Sequence, residues 1–366
     1  MKLKKPFKHI ELFSGIGGFR TALDLIGKDL DLDVKCIGFS EIDKYATQSY
    51  KVNYNTENEK EIGDIVKFTS NKDNIKQLSD FDLLTGGFPC QPFSMMGKQK
   101  GFSDKRGEVF YSIIDILKIK QPKYLLLENV KNLYTHDDKK TYKEIKRSLE
   151  EDAGYIIFDD IFNTSDFKLP QHRRRIFIFG IRKELVNGNI NFNAQDIKEY
   201  LHSNIQNISI NKYKNVLDGI LDKKDVEDKY YLSEKIKPTI LSNGTKNFKS
   251  NSKINQLIAR PLTATMVKMH RACQDNYYSD EFLNAKCSYK YLETEYSKDE
   301  EKNHKIRKLS PWEALKLQGF NKAFFDNASN IGISNHQLYK QSGNAVSVNT
   351  VYAIIYYLIN NNIIKL

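Results

Sequence analysis

The sequence predicts an α/β protein with a doubly wound, mostly parallel β-sheet, and three observations support this fold class. Short apolar runs alternate with amphipathic stretches over the first 182 residues, the pattern of strands followed by crossover helices. The first apolar run breaks at a glycine-rich turn, Ser14 to Gly18, directly before a helical pattern. The apolar runs that end at Thr85 and Glu128 read as buried strands.

The predicted elements can be placed in chain order from these patterns. The strands are expected at residues 9–13, 34–39, 63–65, 81–85, 123–128, 155–161 and 175–181. The helices are expected at residues 19–26, from 45 onward, and at 111–119, 311–318 and 348–359. The last helix is strongly apolar, so we expect it to return and pack on the first sheet.

A change in composition after Arg182 predicts a second domain. Residues 183–258 are rich in Asn, Lys, Ile and Tyr, have weak periodicity and contain no arginine. We therefore predict one domain formed by residues 1–182 together with about 306–366. A smaller, irregular, strand-rich domain is expected at 183–305.

Composition limits the functional classes. The 57 basic and 46 acidic residues give a net charge of +11, which favours a polyanionic partner, although AT-rich coding produces similar compositions. The four cysteines show no CxxC spacing, so neither a disulfide framework nor a metal site is predicted. No apolar run reaches the ~18 residues of a membrane span, and no signal core follows the charged N-terminus, so we expect a cytoplasmic protein.

The turn from Phe13 to Gly18 is the first candidate binding site, because ligands of doubly wound sheets bind at the carboxyl ends of strands. Arg20 stands where a dinucleotide fingerprint has its third glycine, which favours an adenosine ligand without a pyrophosphate, such as S-adenosylmethionine. Glu41 can accept ribose hydroxyls after the second strand, and Asp64 can accept the adenine amine after the third. An ordinary strand-to-helix turn explains the glycines nearly as well.

Cys90 is the candidate nucleophile. Free cysteines are more often inert apolar residues, but Cys90 directly follows a buried strand and has prolines at 89 and 92. A polar, glycine-bearing loop follows at 93–101. This position predicts a thiol that faces the same cleft as the cofactor.

Six motifs in this order resemble those of the cytosine-C5 DNA methyltransferases, and they span residues 9–359 except the stretch after Lys183. The motifs are Phe13-Ser-Gly-Ile-Gly-Gly18, Pro89-Cys90-Gln91, Glu128-Asn129-Val130, Gln171-His-Arg173-Arg-Arg175, the segment from Arg307 to Phe320, and Gln341-Ser-Gly343-Asn344-Ala-Val346. Departures are minor: Ser310 stands for a frequent Thr and Asn321 for a frequent Pro. Residues 274–304 look like an insertion.

The resemblance implies a Rossmann-like, S-adenosylmethionine-dependent methyltransferase fold. It implies methyl transfer to C5 of a flipped-out cytosine within a specific duplex DNA sequence, read by residues 183–305 as the target-recognition domain. Without regulatory extensions, the chain resembles the modification half of a restriction-modification system, a monomer that forms no stable complex with a nuclease acting on the same site. The implied cofactor contacts are Phe13, Gly15, Ile16, Gly17, Gly18, Glu41, Ile42, Asp64, Ile65, Pro89, Asn344 and Val346.

The resemblance also assigns catalytic roles. Cys90 is expected to add to C6 of the cytosine, and Glu128 is expected to hold or share a proton with N3. A carboxylate that only caps the next turn is the alternative for Glu128. Arg173 and Arg175 alternate along the start of a strand, so we expect both on one side, one binding cytosine O2 and the other orienting Glu128 or a phosphate.

Four further residues are expected to contact DNA or support the site. The loop from Gln91 to Gly101 is predicted to close over the flipped base, with Ser94 at the phosphate of that nucleotide. Asn129 is expected to fix the amino group of the base and the loop. Thr263, in a segment similar to one in the family, is expected to support the strand that carries the target.

Three rival functions remain at this point. tRNA-directed relatives share the nucleophile and glutamate motifs, but the Cys-Phe-Thr segment they carry is absent here. A DNA-binding regulator on a decayed methyltransferase scaffold would not need Cys90, Glu128 and Asn344. A nicotinamide-dependent dehydrogenase is disfavoured by Arg20.

Overall fold

The computed structural model describes residues 5–89, 105–224 and 226–366. The chain divides into two compact units. The first comprises Met1–Asn163, Arg174–Ile210 and Val346–Leu366, and the second comprises Thr164–Arg173 and Asn211–Ala345. These limits differ from the predicted ones because residues 183–210 cluster with the first unit and residues 306–345 cluster with the second.

The strands and helices are numbered along the chain. The strands are β1 (Phe7–Leu12), β2 (Val34–Ser40), β3 (Lys60–Glu61), β4 (Leu83–Gly87), β5 (Tyr124–Val130), β6 (Tyr155–Asn163), β7 (Arg174–Arg182), β8 (Gly244–Thr245), β9 (Phe248–Lys249), β10 (Tyr277–Ser279) and β11 (Ile306–Lys308). The helices are α1 (Gly18–Asp29), α2 (Lys44–Asn53), α3 (Ile65–Thr69), α4 (Lys72–Lys76), α5 (Lys105–Lys120), α6 (Lys140–Arg147), α7 (Ala194–Ser203), α8 (Lys237–Leu241), α9 (Asp280–Leu283), α10 (Ser288–Glu293), α11 (Lys298–Asn303), α12 (Pro311–Lys316), α13 (Lys322–Asn330), α14 (Asn335–Asn344) and α15 (Val348–Asn360).

The first unit is built on a seven-stranded sheet in the order β3-β2-β1-β4-β5-β7-β6. The strands β1 to β5 pair in parallel, whereas β7 is antiparallel to both of its neighbours. The predicted fold class is confirmed. Because β1 to β5 run in one direction, their carboxyl ends meet at one edge of the sheet.

The two faces of β1 differ in chemistry. Ile10 and Leu12 join a large apolar cluster with residues of α3, α4, α5 and α6. The alternate residues, His9 and Glu11, are fully buried although they are polar. The apolar helix α15 returns to this unit as expected, and it packs against the helices α1 and α7.

The third strand was misplaced by the sequence prediction. Strand β3 is Lys60–Glu61, and residue 65 begins helix α3 instead of ending a strand. Asp64 is the N-cap of this helix, and its Oδ1 accepts hydrogen bonds from the backbone N–H groups of Val66 (3.0 Å) and Lys67 (3.3 Å). Aspartate in this position favours a helix start.

The second unit is irregular, as predicted, and its strands are two or three residues long. They form two antiparallel pairs, β8 with β9 and β10 with β11. Its buried apolar residues form two clusters, one that includes Ile220, Phe282 and Leu317 and one that includes Ile240 and Ile306. In the parts of the chain that the structure describes, no helix is both long and apolar enough to cross a membrane.

Candidate functional site

The loop after β1 has an unusual backbone. Phe13, Gly15 and Gly17 all have positive φ angles of 53°, 54° and 82°. Such left-handed conformations are readily adopted by glycine and cost energy for phenylalanine. The chain therefore makes a tight turn between β1 and α1, at the edge of the sheet where ligands of this fold bind.

Hydrogen bonds connect the loops that follow β1, β2 and β3. The backbone N–H of Ser14 donates to the carbonyl oxygen of Ser40 (2.8 Å), and that of Gly15 donates to Glu41 Oε2 (2.8 Å). The Ser40 hydroxyl donates to the carbonyl oxygen of Gly63 (2.8 Å). The three predicted cofactor loops therefore form one connected surface.

The Glu41 carboxylate connects the first two of these loops by hydrogen bonds to their backbone. Its Oε1 accepts hydrogen bonds from the backbone N–H groups of Ile42 and Asp43, both at 2.8 Å, in addition to the Gly15 bond on Oε2. A carboxylate oxygen can accept two hydrogen bonds, so Oε2 can still accept one from a ribose hydroxyl. Next to it, the Ile42 side chain is 79% exposed, an unusual position for a large apolar residue beside a packed loop.

The space around the glycines shows where a ligand fits. A Cβ built at Gly15 or Gly63 meets no atom within 4 Å. A Cβ at Gly17 would lie 2.5 Å from the Tyr54 ring, and one at Gly18 would lie 2.5 Å from Val346 Cγ1. The glycines at 15 and 63 thus border open space, whereas those at 17 and 18 allow close packing.

These features fit an adenosyl ligand. The edge offers open space, the Glu41 carboxylate, an apolar side chain at Ile42, and the Asp64 side chain, which is 41% exposed. The side chains of Ile16 and Ile65, which belong to the first and third loops, are buried. The predicted cofactor residues of the first unit, from Phe13 to Ile65, are therefore brought to one edge.

Glu128 and Arg175 form an ion pair farther along the same sheet. Arg175 Nε lies 3.0 Å from Glu128 Oε1, and the Glu128 side chain is 12% exposed. Glu128 pairs in register with Gly87, where an added Cβ would lie 3.4 Å from Oε2. The carboxylate near the end of β5, next to the end of β4, is thus fixed by an arginine from β7.

Asn129 connects the ends of β4 and β5. Its Nδ2 donates to the carbonyl oxygen of Phe88 (2.9 Å), and its Oδ1 accepts from the backbone N–H of Val130 (2.8 Å). The residue is 2% exposed, so the predicted contact with the amino group of a base does not fit its position. Asn129 instead binds the backbone of Phe88, the residue before Pro89. Pro89 itself is exposed.

Arg173 lies elsewhere than predicted. Strand β7 begins at Arg174, so Arg173 precedes the strand and belongs to the second unit. Its Nη1 donates to the carbonyl oxygen of Leu262 (3.0 Å), and its Nη2 donates to those of Gly343 (3.1 Å) and Ala345 (2.9 Å). With 3% exposure, this guanidinium connects backbone segments of the second unit, whereas the prediction placed it on the same side of a strand as Arg175.

The late motifs of the sequence stabilise the second unit. Arg307 and Glu313 are fully buried and form a bidentate ion pair, in which both N···O distances are 2.8 Å. Ser310 and Glu313 form a capping box at the start of α12. Serine makes the same cap bond as threonine here, so the departure at 310 changes little.

Thr263 and Asn344 also belong to the second unit, and both are exposed. A Cβ at Gly343 would lie 2.2 Å from the Thr263 carbonyl carbon, so only glycine permits this contact between α14 and the Thr263 segment. Asn344 is therefore in a different unit from the other predicted cofactor residues. Val346 lies in the first unit, in contact with the position of Gly18.

Cys90, Gln91 and Ser94 lie outside the described residues, so the nucleophile and its loop stay predictions. Pro89 is the last described residue before them. Among the residues that the structure describes, no group of three His, Cys, Asp or Glu side chains is placed to hold a metal ion.

The sequence analysis missed two residues beside the cofactor loop. Tyr54, at the end of α2, donates from its hydroxyl to the Gly17 carbonyl oxygen (2.9 Å). Glu11 is fully buried, and Tyr50 donates to its Oε2 (3.3 Å). Burial raises the pKa of Glu11 to about 8, although the Arg20 charge and the backbone N–H groups at the start of α1 oppose this. A carboxylate within an apolar strand was the available signal for Glu11, whereas nothing in the sequence singled out Tyr54.

This chain is similar over most of its length to proteins of known function. The family model described as C-5 cytosine-specific DNA methylase matches residues 7–360. The type II methyltransferase M1.ScrFI of Lactococcus lactis subsp. cremoris is 38% identical over 354 residues, covering 95% of this chain and 77% of that protein. The type II methyltransferase M.HaeII of Haemophilus aegyptius is 36% identical, covering 98% of this chain and 94% of that protein.

The fold has a solved counterpart. The crystal structure of the S. pombe Dnmt2 methyltransferase superposes with a TM-score of 0.73 and covers 97% of this chain and 99% of that one. At 19% sequence identity, this similarity concerns the fold alone.

Proposed function

The chain belongs to the C-5 cytosine-specific DNA methylase family, as its motifs predicted, and is a DNA cytosine-5-methyltransferase; from this premise we propose its cofactor, residues and biological setting. The proposed reaction transfers a methyl group from S-adenosylmethionine to C5 of a cytosine within a specific duplex sequence. The observation that carries the proposal is the match of the family model over residues 7–360, with Glu128 and Arg175 paired at the carboxyl edge of the sheet.

The cofactor assignment is supported by the open edge of the first unit. Glu41 would bind ribose hydroxyls, Ile42 would cover the adenine ring, and Asp64 would accept its amino group. Gly15 would allow the backbone to approach the ligand closely. When bound, S-adenosylmethionine supplies an electrophilic methyl group.

The proposed mechanism begins at Cys90. Its thiolate forms a bond to C6 of the cytosine, and the electron pair of the C5–C6 double bond moves through the ring toward N3. Glu128 donates a proton to N3, so the charge is neutralised and C5 becomes nucleophilic. After C5 has received the methyl group, a base removes the C5 proton, the bond from C6 to sulfur breaks, and N3 returns its proton to Glu128.

Arg175 orients Glu128 in this scheme. Its Nε bond to Oε1 fixes one carboxyl oxygen, which leaves Oε2 to face the cytosine. A guanidinium holds a carboxyl group in a defined plane, which a lysine does not. Arg173 keeps a structural role in the second unit.

We propose that the second unit contains the target-recognition region and that the enzyme is the modification partner of a restriction nuclease. The relatives named type II methyltransferases support this setting. The net charge of +11 supports a DNA substrate. The enzyme is proposed to act as a monomer on cellular DNA.

Bisulfite sequencing of DNA from a methylation-deficient host that expresses the chain tests this function. We expect 5-methylcytosine at one position of a single short sequence throughout the genome. A host with no new 5-methylcytosine, while purified enzyme methylates tRNA, would contradict the proposal and support an RNA substrate.

A further inference from the structure

The hydroxyl of Tyr54 lies at the turn where the cofactor loop becomes α1. It donates to the carbonyl oxygen of Gly17 (2.9 Å), lies 3.3 Å from that of Ile16, and lies 2.6 Å from the Thr21 hydroxyl. Gly17 is the N-cap of α1, and no side chain caps the helix from this position. The Gly17 carbonyl oxygen also accepts hydrogen bonds from the backbone N–H and the hydroxyl of Thr21 in α1, both at 2.9 Å, so Tyr54 adds to them a contact from outside the helix.

The Tyr54 ring restricts the same turn by its shape. A Cβ at Gly17 would lie 2.5 Å from ring atom Cε2, so the ring fits only against a glycine. The ring also packs against Tyr50, with 4.7 Å between ring centroids. The Arg20 guanidinium lies 5.5 Å from the centroid of the Tyr54 ring.

Arg20 also contacts the segment between α2 and β3. It pairs with Asp24 (3.1 Å) and with Glu59 (2.5 Å), whose side chain is 4% exposed. Glu59 precedes β3 and the turn at Gly63 and Asp64. The arginine that replaces the third glycine of a dinucleotide fingerprint thus connects α1 to the segment that leads into β3 through a buried ion pair.

The consequence concerns the open side of the loop. Gly15, which borders open space, lies two residues before Gly17, and both glycines have left-handed backbone conformations. A change at Gly17 would alter the position of the Gly15 N–H, which is bound to Glu41. The residues proposed to hold the ribose are therefore coupled to Tyr54.

We propose that Tyr54 is a positioning residue of the cofactor site, because its hydroxyl fixes Gly17 and through it the loop that contacts the ligand. This proposal rests on the proposed function, since it assumes that S-adenosylmethionine binds at this edge. Tyr54 acts through the backbone and does not contact the cytosine. The expected effect is therefore on cofactor affinity, with kcat and the KM for DNA unchanged.

The variants Tyr54→Phe and Tyr155→Phe form a matched pair. Tyr155 also donates from a buried hydroxyl to a backbone carbonyl, that of Pro122 (2.6 Å), but at the opposite edge of the same sheet. The Kd for S-adenosylhomocysteine is measured by isothermal titration calorimetry for both variants and the wild type, and Tm is measured in parallel. Loss of one hydrogen bond predicts about a fivefold weaker Kd for Tyr54→Phe.

A weaker Kd for Tyr54→Phe and an unchanged Kd for Tyr155→Phe, with a similar loss of Tm in both variants, would support the positioning role. Equal Kd values for Tyr54→Phe and the wild type, or the same weakening in both variants, would overturn it and leave Tyr54 with a structural role only. A wild-type enzyme that does not bind S-adenosylhomocysteine would instead contradict the proposed function, and the role of Tyr54 with it.

Discussion

The side-chain amide of Asn129 donates to the carbonyl oxygen of Phe88 over 2.9 Å, and this bond connects the strand that carries Glu128 to the segment that leads into Cys90. The two proposed catalytic groups belong to different segments of the chain, so their separation depends on such connections. Asn129 is buried, and its other end accepts from Val130. The amide is therefore a fixed link between β4 and β5.

We predict that Asn129→Ala lowers kcat by about 100-fold, because misplacing a reacting group by ~1 Å has an effect of this size. Single-turnover methyl transfer measures the change. The Kd for S-adenosylhomocysteine should stay within about twofold of the wild-type value, since the residue lies away from the Glu41 loops. A variant with normal turnover would show that the Phe88 bond does not position the nucleophile.

Glu128 and Arg175 should act as a unit. Glu128→Gln is expected to lower kcat by about 10²- to 10⁴-fold, because the amide cannot donate a carboxyl proton to N3. Arg175→Met should also lower kcat, because Glu128 loses its orienting partner. Arg182→Met is the control: Arg182 pairs through Nε with Glu184 (2.9 Å) at the other end of the same strand. Equal activity of the two arginine variants would contradict the orienting role.

Ile42 allows a test of cofactor binding that spares the fold. Its side chain is 79% exposed, so Ile42→Ala should leave Tm unchanged. If the side chain covers the adenine ring, its loss removes roughly 1–2 kcal/mol of apolar contact and weakens the Kd for S-adenosylhomocysteine by about 5- to 30-fold. Ile331→Ala, at a site 48% exposed in the second unit, is the control and should bind normally.

Glu11 makes the stability of the protein depend on pH. Its pKa is about 8 in the folded protein, against an ordinary value of 4.5, because the carboxyl is buried. Between these values the unfolded chain binds fewer protons than the folded one, so the free energy of unfolding contributed by Glu11 falls as pH rises from about 4.5 through about 8. Urea unfolding at several pH values should show this fall in the wild type and a smaller one in Glu11→Gln. Parallel curves for the two proteins would contradict it.

The sheet and the residues at its carboxyl edge could be predicted from the sequence, because strands and turns depend on the local pattern of apolar, polar and glycine residues. The residues from Phe13 to Gly18, Glu41 and Glu128 lie at the strand ends where the patterns placed them. Local patterns also explain the main local error, since Gly63 to Ile65 resembles a short strand but Asp64 caps a helix.

Tertiary contacts were not predictable in this way. Arg173 and Arg175 are two residues apart in the sequence, yet one binds carbonyl oxygens in the second unit and the other binds Glu128 in the first. Only the folded backbone distinguishes them. Tyr54 likewise gains its role from a contact with Gly17, 37 residues earlier in the chain.

The covalent bond between Cys90 and cytosine C6 is the central claim, and trapping tests it most directly. A duplex with 5-fluorocytosine at the methylated position found by bisulfite sequencing cannot release the C5 substituent as a proton, so the adduct should persist. With S-adenosylmethionine present, we predict a denaturation-resistant complex whose mass equals enzyme plus methylated DNA, crosslinked at Cys90. Cys90→Ser should form no such complex. Full methyl transfer by Cys90→Ser, or a complex crosslinked at another residue, would contradict the mechanism.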